Sequence, residues 1–120
     1  MSCSRHSDFS SFEEWLALTK HPKENIRYHA IRKGCPCQVK QDIKEIWDRF
    51  FEIIEEEKEE SDRIRYQILH NLCDGTPKYL EERVIDCLEN NYWNDSCKKT
   101  RRAARKVLTV YRRTGNWNTM

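Results

Sequence analysis

Glycine and proline are scarce in this chain: of 120 residues only 3 are Gly and 3 are Pro. An all-β protein turns many tight corners and draws on both residues to do so, which speaks against that class. Long apolar runs are missing too. Nothing approaches the ~18 consecutive apolar residues of a membrane span. The opening Met1-Ser2-Cys3-Ser4-Arg5-His6 has no apolar stretch behind its charge, so neither a signal peptide nor an anchor is expected. No glycine-rich loop is present to cradle a phosphate, which speaks against a nucleotide-hydrolysing enzyme. One sign of charge is absent locally: Lys98 to Arg113 holds eight bases and no acid. From Gln41 to Arg63 the balance reverses, with ten acids against four bases, so a formal net charge of only +2 hides a dipole along the chain.

What is there fits a single domain of thin helices. A 14.6 kDa chain buries roughly two-thirds of its unfolded surface and has room for one modest core. Charged residues at 35% against hydrophobic ones at 38% suit helices with one apolar stripe and a solvated back. Without a secretory context the six cysteines, Cys3, Cys35, Cys37, Cys73, Cys87 and Cys97, are expected as free thiols of a cytoplasmic or nuclear protein.

A short phrase recurs. Ile26-Arg27-Tyr28 returns as Ile64-Arg65-Tyr66 and, more loosely, as Thr100-Arg101-Arg102, each followed three residues after the arginine by Ala30, Ile68 or Ala104. The spacings of 38 and 36 residues are those of paired-helix repeats. Apolar residues between the copies fall at helical intervals. Ile43, Ile46, Trp47, Phe50, Ile53 and Ile54 make one stripe, and Leu80, Val84, Leu88 and Tyr92 another. Phe12, Trp15, Leu16 and Thr19 form a shorter one, introduced by Ser11 and Glu14 in a capping-box pattern. Gly34, Gly75 and Gly115 each fall just past a motif helix, where positive φ closes the last turn, and Thr76-Pro77 reads as an N-cap with a first-turn proline.

These residues give the chain a resemblance to HEAT and HEAT-like (PBS-lyase-type) helical repeat proteins. The resemblance implies an all-α fold, a short right-handed α-solenoid of three helix pairs and six helices. It spans residues 9–113 as repeats of about 9–35, 38–74 and 76–113, between a disordered 1–8 and a tail at 114–120. It also implies that Arg27, Arg65 and Arg101 are structural, each tying one repeat to an acid in a neighbouring turn. Asp95 matches that acidic position, Glu59 substitutes for it, and His21 departs from it. Tyr28 and Tyr66 are expected on the inner surface formed by the motif helices.

Catalytic and metal chemistry find little support. Cys35-Pro36-Cys37 is a poorer clip than C-x2-C, because both sulfurs must turn toward one ion, and no second clip exists. Cys73 and His70 are the residues that a fold might bring to it, but small buried thiols serve equally well between helices. No metal or cofactor is therefore expected. His6, His21, His29 and His70 stand beside no recognised nucleophile, and acid runs such as Glu55-Glu56-Glu57 read as solvated helix ends.

The last helix carries the strongest surface signal. Lys98, Lys99, Arg102, Arg105, Lys106, Arg112 and Arg113, with Arg101, share one arc, while Thr100, Ala104, Val107, Leu108 and Tyr111 share the opposite one. A terminal cap needs only polarity, so a uniform sign points to an anionic partner. Trp117 beyond it is placed either to pack back on the last helices or to stack on a partner. The sequence thus describes a non-enzymatic, monomeric module. Its expected partner is another protein, bound through Tyr28, Tyr66 and the basic helix, with nucleic acid on the basic face as the alternative and no role for a membrane.

Overall fold

The computed structural model describes residues 12–39 and 43–117, without the side chains of Cys37 and Gln38. The expected 1–8 segment, the Ser11 half of the capping pattern and the Cys37 thiol lie outside the described residues. The described residues hold no strand. Helices α1 (Phe12–Thr19) and α2 (Glu24–Lys33) are followed by a single turn, α3 (Pro36–Val39), and then by α4 (Lys44–Phe51), which widens into a π-helical turn over Glu52–Glu56. Next come α5 (Asp62–Leu72), a 3-10 turn at Lys78–Leu80, α6 (Glu81–Asn94) and α7 (Lys98–Thr114). Helix α1 packs on α2, α4 on α5 and α6 on α7, while α2 lies against α5 and α5 against α7.

The apolar stripes supply one continuous core from Trp15 to Leu108. Ile46, Trp47, Phe50, Ile53 and Ile54 are buried as their spacing predicts, as are Leu80, Val84 and Leu88. The residue three after each motif arginine, Ala30, Ile68 or Ala104, is buried in all three places. Phe51 and Arg49, which the stripes do not announce, are buried with them. Arg49 donates from Nε to Thr19 Oγ1 at 2.9 Å and from Nη1 to Glu52 and Glu57 at 2.6 Å each. The wide turn, in which Glu57 N donates to Glu52 O, brings Glu57 back over Arg49.

Two local readings change. Gly75 and Gly115 hold φ of 73° and 76°, as expected of residues that end a helix in the left-handed region. Gly34 instead sits at φ −81°. Its constraint is space, because a Cβ there would lie 2.8 Å from Trp15 Cζ2 and 3.3 Å from Phe50 Cζ. Both rings are fixed in the core, so Gly34→Ala is expected to lower stability by about 1–3 kcal/mol through overpacking, read from chemical denaturation. Thr76 does not cap a following helix. Its hydroxyl donates back to Leu72 O at the end of α5, and Pro77 precedes the 3-10 turn in extended conformation. Trp117 takes the first of its two expected roles, stacked on Tyr111 with ring centroids 4.0 Å apart.

Candidate functional site: a groove across three helix starts

The motif arginines organise the helix starts. Arg27 donates from Nη1 to the carbonyls of His21 and Pro22, six and five residues back, and binds Glu59 with Nε and Nη2 at 3.1 and 3.0 Å. Arg65 does the same one unit later. It donates to the carbonyls of Glu59 and Glu60 and binds Asp95 at 2.9 Å through both Nε and Nη2. Arg101 repeats the backbone part, donating to Asp95 O at 2.6 Å, and has no carboxylate partner among the described residues.

The departure at His21 is explained by the same geometry. Each tie runs from an arginine to the acid of the following turn, and no arginine among the described residues precedes His21. What residues 21, 59 and 95 share is local: His21 Nδ1 accepts from Lys23 N, Glu59 Oε2 from Ser61 N and Asp95 Oδ1 from Cys97 N, at 3.0, 3.0 and 2.9 Å. All three close the turn before a motif helix. For Asp95, burial raises the carboxyl pKa, but hydrogen bonds from Arg65, Cys97 N and Asn91 outweigh it and hold the group below its ordinary value.

Held in this way, α2, α5 and α7 enclose a groove of about 320 Å3 lined by Tyr28, Asp62, Arg63, Tyr66, Gln67, Cys97, Lys99 and Thr100. Tyr28, Tyr66 and Lys99 are residues that the sequence assigns to binding. The structure brings them together, and it adds a regularity. Arg63 of α5 lies over the Tyr28 ring of α2, 3.8 Å from its centroid, and Lys99 of α7 lies over the Tyr66 ring of α5 at 5.0 Å. Both cations stand two residues before a motif arginine, so each tyrosine is covered by the cation of the next helix. Arg63 also pairs with Glu24 at 2.7 Å on the exposed rim. The hydroxyl of Thr100, which lines the groove, is buried without a hydrogen-bond partner.

The remaining basic residues are not part of this groove. Lys98, Arg102, Arg105, Lys106, Arg112 and Arg113 lie exposed along α7. Arg112 pairs with Glu89 at 2.6 Å, whereas Arg102, Arg105, Lys106 and Arg113 have no carboxylate partner among the described residues. Thr100, Ala104, Val107 and Leu108 are buried behind them, as their phase predicts. The exposed arc is therefore continuous and of one sign.

Sequence reasoning missed Asp62, Arg63, Gln67 and Cys97. Residues 62, 63, 66 and 67 share one face of α5, so Tyr66 marked that face, but periodicity does not say which helix lies opposite. The sequence also offered Cys73 as a companion to Cys35 and His70, and the structure does not bring it there. Cys73 belongs to the core, where burial pushes its thiol up to about 12. Among the described residues, Cys35, Cys73, Cys87 and Cys97 form no disulfide. No helix among the described residues is long and apolar enough to cross a membrane.

Comparison with family models, with curated proteins and with solved structures finds no match to this chain. What the structure defines is an all-helical class of protein, with a polar, aromatic groove across three helix starts.

Proposed function

We propose that this chain is a HEAT-like helical repeat module, a short right-handed stack of three helix pairs, and that it is a non-enzymatic scaffold for another protein. Support for the architecture comes from the recurrence of the Arg27–Glu59 geometry at Arg65–Asp95, the arginine 38 and the acid 36 residues further along. Stacked pairs share a core that no single pair could close, and they present one helix of each pair on a common face. Binding through that face is the general use of such stacks, an analogy of fold that the groove makes specific.

The observation that carries the functional reading is the alternation of Tyr28, Arg63, Tyr66 and Lys99 across the groove. Aromatic rings and cations in fixed alternation suit an extended protein segment with acidic side chains: the rings supply contact area and the cations orient carboxylates. Crosslinking pull-down tests it. Tyr66→Ala with Lys99→Glu is expected to reduce capture of a defined partner by 10-fold or more, about 1.4 kcal/mol or more. Arg102→Gln with Arg105→Gln and Lys106→Gln is expected to leave capture within about 2-fold. Equal loss from both sets would refute a groove-centred interface.

A second reading, nucleic-acid binding by α7, is favoured by its exposed bases that lack a carboxylate partner among the described residues, Arg102, Arg105, Lys106 and Arg113 among them. It requires affinity for duplex DNA that falls with salt at a slope of ~0.9 per phosphate contacted. The Gln variants at Arg102, Arg105 and Lys106 would then flatten that slope, and no binding at low salt removes the reading.

A further inference from the structure

A cluster of metal-ligating side chains lies away from the groove, at the opposite ends of α2 and α5. Cys35 follows the last turn of α2, His70 sits in the last turn of α5, and Asp74 lies just past the end of α5. One donor atom from each, the cysteine sulfur, an imidazole nitrogen and a carboxylate oxygen, lies within 4.8 Å of the others. Cys35 Sγ and Asp74 Oδ2 are 3.2 Å apart. Ligands to one tetrahedral zinc ion, with bonds of about 2.0 to 2.3 Å, stand about 3.3 to 3.6 Å from one another. The trio therefore needs only a small closure to meet around one ion.

We infer that Cys35, His70 and Asp74 form a binding site for a zinc-class divalent ion that joins the end of the first motif helix to the end of the second.

Local structure explains why these three residues meet. His70 and Asp74 are four apart at the end of a helix and so share one face. Asn71 between them is buried and donates from Nδ2 to Ile31 O at 2.9 Å, which holds the end of α5 against the end of α2. Cys35 leaves α2 four residues beyond Ile31 and so arrives on that seam. The donor set selects the ion. A thiolate with an imidazole favours zinc-class metals over magnesium or calcium, which prefer oxygen alone. Cys35 is buried while His70 and Asp74 are half-buried, so one flank of the site is open to solvent. Three protein donors leave the fourth tetrahedral position for water. On binding, the Cys35 thiol gives up its proton to solvent as the sulfur–metal bond forms, with no change of oxidation state.

The test uses the full chain, freed of metal with a chelator and titrated first with cobalt(II) as a spectroscopic probe and then with zinc(II). One equivalent of cobalt is expected to give tetrahedral d–d bands and a thiolate-to-cobalt charge-transfer band, both abolished when zinc displaces it. Cys35→Ser removes the charge-transfer band. His70→Gln and Asp74→Asn, both at half-buried positions that tolerate a similar shape, each lower zinc affinity by about 10-fold or more. Cys97→Ser, in the groove, changes neither. Circular dichroism of each variant establishes that these readings come from folded protein. Overturning results are a wild-type chain with no cobalt bands, a charge-transfer band that persists in Cys35→Ser, or zinc affinity unchanged in both His70→Gln and Asp74→Asn. The simple alternative, a thiol hydrogen-bonded to Asp74, predicts the first of these.

Discussion

Arg65→Ala lowers the free energy of unfolding by about 3–5 kcal/mol, the expected penalty for stranding a buried carboxylate. The side chains of Arg65 and Asp95 are only 11% and 1% exposed. Removing the guanidinium also deprives the Glu59 and Glu60 carbonyls of their donor. A typical domain is stable by only 5–15 kcal/mol, so a change of this size brings the chain near the edge of folding at ambient temperature. The same logic makes Arg101→Ala mild. Arg101 bonds one carbonyl and, among the described residues, no carboxylate, and its loss is expected to cost about 1 kcal/mol.

The Arg65 effect depends on pH in a direction set by Asp95, whose carboxyl is held below its ordinary value of 3.8. A group whose pKa is lowered on folding contributes stability that is fully present above the unfolded value. That contribution fades as pH falls through the folded value. Wild-type stability therefore drops in acid, below about pH 4. In Arg65→Ala burial is left opposed by fewer hydrogen bonds, so protonation relieves the stranded charge. The stability difference between the two proteins should narrow between pH 7 and about pH 3, as followed by thermal unfolding.

Phe50→Ala is expected to lower stability by about 3–5 kcal/mol, the other large effect. Phe50 has 0% exposure and stands edge-on to Trp15 at 6.1 Å and to Trp47 at 6.3 Å between ring centroids. Removing it deletes both aromatic contacts and opens a cavity that Gly34, with no side chain, cannot fill. Trp15 is further pinned by its indole N–H, which donates to Ala30 O at 2.7 Å. The loop around Gly34 therefore cannot collapse into the void. Phe50→Leu, which keeps part of the volume, should recover roughly half of the loss in urea unfolding.

Most of the helical framework was legible because its information is local. A stripe such as Ile46, Trp47, Phe50 or Val84, Leu88 is set by a repeat of 3.6 residues, and the basic arc of α7 follows from that same period. Gly75 and Gly115 were legible for a similar reason, since positive φ is a property of one residue. Gly34 was not, because its role depends on Trp15 and Phe50, which approach from other helices. Arg49 reads as one base within an acidic stretch, and only tertiary packing buries it against Thr19. The groove divides along the same line. Tyr28, Tyr66 and Lys99 could be picked as recurrent or basic positions, whereas Asp62, Gln67 and Cys97 belong to it only because α2, α5 and α7 lie side by side. Asp74 lies beside Cys73 in sequence, but the chain turns the carboxylate to Cys35 and the thiol into the core.

The ordering of three motif helices by two arginine ties is best tested by double-mutant cycles in urea unfolding. The cycles pair Arg27→Ala with Glu59→Ala and Arg65→Ala with Asp95→Ala. The geometry predicts a coupling of about 2–3 kcal/mol within each pair, and none between Arg27 and Asp95. Coupling below about 0.5 kcal/mol in both pairs, or an Arg101→Ala loss as large as that of Arg65→Ala, would contradict it.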